Sequence, residues 1–109
     1  MNRIMFFILC TSLISCSISH SDPGANRESI NLTLDAWHKA AAKADYEDYF
    51  KPMSDDAIFI GTDATENWNK ADFMIWAKPY FDKGKAWSFT SLERHIYFDQ
   101  SGKIAWFDE

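Results

Sequence analysis

Only two cysteines occur in the 109 residues, Cys10 and Cys16, and neither lies beyond residue 16. No disulfide framework can therefore hold the later part of the chain. No block of basic residues stands out either: eleven lysines and arginines are spread among sixteen acids, for a formal charge of −5. Such a surface argues against nucleic acid as a partner. No apolar run reaches the roughly twenty residues that a bilayer crossing needs. The three histidines, His20, His38 and His95, show no paired spacing, and no cysteine lies beyond residue 16 to join them, so no metal site is expected. There is no Gly-x-Ser-x-Gly and no serine in an activated turn, which sets nucleophilic hydrolysis aside. No cofactor is expected. What the chain does have is apolar and aromatic side chains, 47% and 17% of the residues, enough for the core of one small domain and too many for disorder.

The N-terminus reads as a targeting segment. Arg3 supplies a short positive region, and residues 4–14 form an apolar run of signal-peptide length. That run closes on Leu13-Ile14-Ser15-Cys16, which resembles the lipobox of bacterial lipoproteins. The resemblance implies a signal peptide over 1–15, with Cys16 becoming the first residue and carrying fatty acyl chains, palmitate among them. Several chains on one residue anchor firmly where a single chain is marginal. An ordinary signal peptide that happens to end near a cysteine is the alternative, but Cys16 directly follows a small residue at the end of the apolar run. Ser17 stands where an aspartate would resemble an inner-membrane retention signal, so the expected address is the outer membrane, facing the periplasm, with the lipid as the only membrane contact. Residues 16–26 then read as the lipidated cysteine and a flexible tether containing Asp22, Pro23 and Gly24.

The folded part is expected over 27–109. Ile30, Leu34, Trp37, Ala41 and Ala44 recur at helical spacing as one apolar stripe, with His38 on its flank. Asp45, followed by Asp48 at the third position, predicts the cap of a short helix through Tyr49 and Phe50, ended by Pro52. Residues 57–60 form a short β-branched and aromatic run, which predicts a strand. A tight hairpin excursion over 62–68 follows, where Asp63 and Glu66 read as turn residues. Asn69 with Asp72 predicts a second cap, and Trp68 is placed to close over Phe73 as a hydrophobic staple. Phe73, Trp76, Ala77 and Tyr80 give the next helix a half-buried face, with Pro79 and Gly84 as its terminators. Residues 87–98 and 103–109 read as a long hairpin about Asp99-Gln100-Ser101-Gly102. Pairing Asp99 with Lys103 places Arg94 opposite Asp108 and Ile96 opposite Trp106. Glu93, His95, Tyr97, Ala105 and Phe107 then share the other face. The last strand presents an aromatic edge, so the chain is expected to be a fragment lacking further strands.

This element order, with Asp35-Ala36-Trp37-His38, the run from Ala57-Ile58-Phe59-Ile60 through Gly61-Thr62-Asp63-Ala64-Thr65-Glu66-Asn67-Trp68, and Gly102-Lys103-Ile104-Ala105-Trp106-Phe107, resembles the SnoaL-like, or nuclear transport factor 2-like, superfamily. The resemblance implies an α+β fold in which helices pack on a curved antiparallel sheet, here a partial domain over 27–109. It also implies a cone-shaped pocket under the first helix. Enzymes of the superfamily include ketosteroid isomerase, scytalone dehydratase, limonene epoxide hydrolase and polyketide cyclases, and other members only bind or assemble. The pocket candidates are His38, Arg94, Trp106 and Asp108. His38 would be a general base or a hydrogen-bond donor to the ligand, or else a helix histidine bonded to a neighbouring carbonyl. Asp108 with Arg94 would orient a ligand anion or be a surface pair of little consequence, and Trp106 would be a wall or simply core. Two functions follow. One is a lipid-anchored module that binds a small apolar ligand, with a homodimer formed through the outer face of the sheet. The other is a cofactor-free isomerase, lyase or cyclase using His38 with Asp108.

Overall fold

Alanines at 40, 41, 42 and 44 make the end of the first helix thin, and two aromatic helices close onto it. In the computed structural model, which describes residues 23–109, that helix, α1 (Pro23–Ala42), begins within the stretch expected to be tether. A proline at the first helical position loses no hydrogen bond, because that N–H would have had no partner in the helix. The expected signal peptide, Cys16 and His20 lie outside the described residues. At its C-terminus Ala44 takes a left-handed φ of 55°, Asp45 N–H donates to the Ala40 carbonyl and Ala44 N–H to that of Ala41. These two bonds close the helix and turn the chain back on itself.

Asp45 then caps α2 (Tyr46–Phe50), accepting from the Asp48 N–H at 3.2 Å. Five residues can bury two large rings here because Tyr49 and Phe50 face Ala40 and Ala41, where α1 is thinnest. Burial pushes the Tyr49 hydroxyl up to about 12, against a Trp87 hydrogen bond that works the other way. The third helix, α3 (Lys70–Asp82), is capped as expected: Asn69 Oδ1 accepts from the Asp72 N–H at 2.9 Å and Asn69 Nδ2 donates to the Asp72 carboxylate at 2.7 Å. Phe73, Ala77 and Phe81 complete one core with α1 and α2.

Two expectations for α3 are corrected. Trp68 does not lie over Phe73; its ring stacks on Trp76 at 5.9 Å, while Phe73 is taken by Phe59 at 3.9 Å. Strand β1 (Ile58–Ile60) pairs with β2 (Asn67–Asn69), which sets Phe59 directly beside Trp68 and lets each ring choose its nearest partner in the helix. Pro79 does not end α3 but sits inside it. The bond it forfeits would have reached the Ile75 carbonyl on the exposed face, where water can replace it, and buried Phe81 holds the last turn in place. Gly84, at φ 68°, is the true stop.

The long hairpin is shorter than the sequence suggests. Residues 87–94 form no ladder; Trp87 anchors them by ring contacts to Tyr49 and Phe81, each 5.3 Å away. Strands β3 (His95–Phe98) and β4 (Ala105–Asp108) pair with Phe98 opposite Ala105, Tyr97 opposite Trp106 and His95 opposite Asp108. That is one residue away from the expected register. The Asp99 carboxylate accepts from the N–H groups of Ser101, Lys103 and Ile104, and the Asp99 N–H donates to the Ile104 carbonyl. Closing that extra position widens the turn and slips β4 by one residue, which exchanges its faces. The described residues thus form an α+β fold of three helices with two separate two-stranded antiparallel sheets.

Candidate functional site

The one-residue slip decides which side chains meet α1. Asn31, Asp35 and His38 fall at i, i+4 and i+7 and so lie along one side of that helix. The β3–β4 hairpin brings Arg94 and Glu109 to them. Arg94 Nη1 donates to Asp35 Oδ1 at 2.8 Å, to the Asn31 carbonyl at 3.2 Å and to Asn31 Oδ1 at 3.3 Å. Its Nε donates to Glu109 Oε2 at 2.7 Å, and the other oxygen of Glu109 meets His38 Nε2. These are not loose surface pairs: the side chains of Arg94, Glu109 and His38 are 9%, 15% and 17% exposed. Arg27 adds a bond to the Ile96 carbonyl, so a line of polar contacts clasps the hairpin to the helix.

The electrostatics follow from this chain. Partial burial works to raise the Glu109 carboxyl, but the hydrogen bonds and charges of Arg94 and His38 outweigh it and hold the group below its ordinary value. An ionised Glu109 accepts the hydrogen carried on His38 Nε2, so Nδ1 is the ring nitrogen that this carboxylate does not engage. Arg94 fixes the carboxylate, the carboxylate fixes the imidazole, and the imidazole borders a cleft of about 310 Å³ walled by Phe89, Thr90, Ser91 and Leu92.

A second cavity lies on the other side of Trp37. It is an apolar groove of about 360 Å³ beneath α1, lined by Thr33, Leu34, Trp37, Ile58, Phe59, Ile60 and Phe107 among others. Glu109, one residue past the end of β4, falls on the same side as Phe107, as Trp37 and His38 are neighbours on α1. The strand and the helix therefore serve both cavities, and of the two the first carries His38 and Glu109 in its wall.

Of the four pocket candidates, His38 and Arg94 are brought together, with Glu109 between them. Asp108 and Trp106 are not. They stand on the outer face of β4, where Asp108 Oδ1 meets His95 Nδ1 at 2.9 Å and Trp106, 54% exposed, stacks on Tyr97 at 5.9 Å. The expected Arg94–Asp108 pair is replaced by Arg94 with Glu109 and Asp35, because the slipped register turns Asp108 away from Arg94. Asp35 was within reach of sequence reasoning, since it precedes His38 by three residues on the helix. Glu109 and Phe107 required the register. Among the described residues no three histidine, cysteine, aspartate or glutamate side chains are grouped to hold a metal, and no helix is long and apolar enough to cross a membrane.

The SnoaL-like domain family matches residues 30–109, from the first turns of α1 to Glu109. No curated protein and no solved structure matches the chain. At the level of the superfamily the match supports a module that binds a small molecule or isomerises one. With three helices and antiparallel hairpins among the described residues, and a family match over most of its length, the chain belongs to the SnoaL-like domain family.

Proposed function

We propose that this protein is a lipid-anchored module of the bacterial cell envelope that binds a small apolar molecule under α1. The observation that carries this reading is the apolar groove, whose walls come from α1, the segment before β1, β1 itself and β4. A concave, mostly apolar cavity with a few polar groups beside it is the usual form of a small-molecule site. The polar group beside it is His38 on the same helix, held by Glu109 and Arg94 at the ends of the β3–β4 hairpin. Cys16 is the proposed anchor and the periplasmic side of the outer membrane the proposed address. The exposed outer face of the β3–β4 hairpin, with Tyr97 and Trp106, is the proposed homodimer surface. The test is a titration of the full chain with a panel of small apolar molecules, followed through the methyl resonances of Leu34, Ile58 and Ile60. Saturable shifts at those methyls, lost on filling the groove with Thr33→Trp, are expected. Shifts that survive Thr33→Trp would move the site elsewhere.

The hydrogen-bonded chain favours a second reading, a cofactor-free isomerase, lyase or cyclase. Glu109 takes the part first given to Asp108: it orients a His38 that abstracts a proton next to a carbonyl. Incubation with enolisable ketones in heavy water should then show protein-dependent deuterium uptake that His38→Gln removes. Uptake unchanged in His38→Gln would leave the binding reading alone.

A further inference from the structure

On the other side of Phe59 lies a third cavity, about 230 Å³, whose composition differs from that of the groove. Its walls are Phe59, Phe73, Trp76, Trp87 and Phe89, joined by the carboxylate residue Glu66. Phe73, Trp76 and Trp87 stand 6.0–6.3 Å apart, centroid to centroid, with their planes within 33° of one another. The 61–66 turn holds the acid at the rim. Glu66 Oε2 accepts from the N–H groups of Thr62 at 2.9 Å and Asp63 at 3.2 Å, and Gly61 leaves the room it needs, since a β-carbon there would come within 2.2 Å of that oxygen. Glu66 forms no ion pair among the described residues, and no lysine or arginine lines the cleft. A carboxylate held by two backbone N–H groups, with no ion-pair partner among the described residues and several aromatic rings beside it, complements a particular chemistry.

We infer that this cleft binds an alkylated ammonium cation. Ring faces carry the negative lobe of the aromatic quadrupole and attract a cation within about 6 Å of the centroid. A primary ammonium keeps its water tightly and suits such a site poorly. A quaternary ammonium has no N–H to satisfy, sheds water easily, and presents methyl groups that fill apolar space while Glu66 balances the charge. Phe59 contributes to both this cleft and the groove under α1, but the inference does not rest on the reading of that groove.

The test uses the full chain and choline chloride, with 3,3-dimethylbutan-1-ol as the uncharged isostere. Saturable shifts of the indole N–H resonances of Trp76 and Trp87 are expected with choline, with the isostere weaker by about tenfold or more. Glu66→Gln, which keeps an oxygen to accept from Thr62 and Asp63, should weaken choline by about fivefold to tenfold and abolish its salt dependence. Trp76→Leu, at a partly exposed site, should weaken it comparably, while Thr33→Trp leaves it unchanged. Equal binding of choline and the isostere, or a Glu66→Gln protein that binds choline as well as wild type, would overturn the inference. So would the absence of saturation in the wild type.

Discussion

Single side chains carry very unequal shares of this fold. Phe73 is 1% exposed, stacked on Phe59 and in contact with Tyr49, Phe50 and Trp87, so Phe73→Ala should destabilise by about 3–5 kcal/mol. Asn69→Ala removes only a cap and should cost about 1 kcal/mol. Urea melts separate the two, and equal costs would mean that Phe73 is not packed as described. The two caps were legible in the sequence because each is a contract between residues three apart, Asp45 with Asp48 and Asn69 with Asp72. The partner of Trp68 was not, because it depends on where the β1–β2 hairpin delivers Phe59. Glu109 offers a titration at the same scale. Its folded-state value is lowered, so the stability it contributes is complete above its ordinary value of 4.5 and is lost as pH falls through the lowered one. Wild type should therefore exceed Glu109→Gln in stability near neutral pH, and the difference should shrink as the solution is acidified below about 4.5. A gap between the two that stays constant down the acid range would show that Glu109 is not held as a carboxylate by Arg94.

The turns, more than the helices and strands, decide what this chain can do. The 61–66 turn is set by Glu66 folding over Gly61, and Gly61→Ala pushes that carboxylate away. With its backbone partners still open to water, the loss should be modest, about 1–2 kcal/mol in a thermal or urea melt. A neutral substitution would mean that Glu66 does not sit over Gly61. The 99–104 turn has a larger consequence, because three N–H groups on one carboxylate shift the register of β3 and β4 by a single position. The alternation of the hairpin was readable, and so was its turn. Which of two neighbouring registers closes was not, since Asp99 has donors available in either. That one ambiguity exchanged Asp108 for Glu109 and Trp106 for Phe107 at the face of α1. Pro79 shows the same limit in a helix: a breaker by type is tolerated where the lost bond faces solvent and the following ring is buried.

Across the whole molecule the core and the candidate site are held by different forces. The core is an aromatic cluster on α1, α2 and α3, whereas the β3–β4 hairpin is clasped to α1 largely through Arg27, Arg94, His38 and Glu109. The family was legible because the order of elements and the helix stripes survive small errors of boundary, but the site was not, because it lies across an interface between elements distant in sequence. The proposed anchor belongs to this scale too. Cys16→Ser should abolish incorporation of a clickable fatty acid and move the protein out of the membrane fraction, and a serine variant that stays with the membranes would refute lipid anchoring at Cys16. The candidate site depends most directly on which acid at the end of the β3–β4 hairpin meets His38, and a double-mutant cycle in urea measures it. His38→Ala combined with Glu109→Gln should show a coupling of about 0.5–2 kcal/mol, and His38→Ala combined with Asp108→Asn should be additive. Coupling of His38 to Asp108 with none to Glu109 would contradict the register, and with it the site built on it.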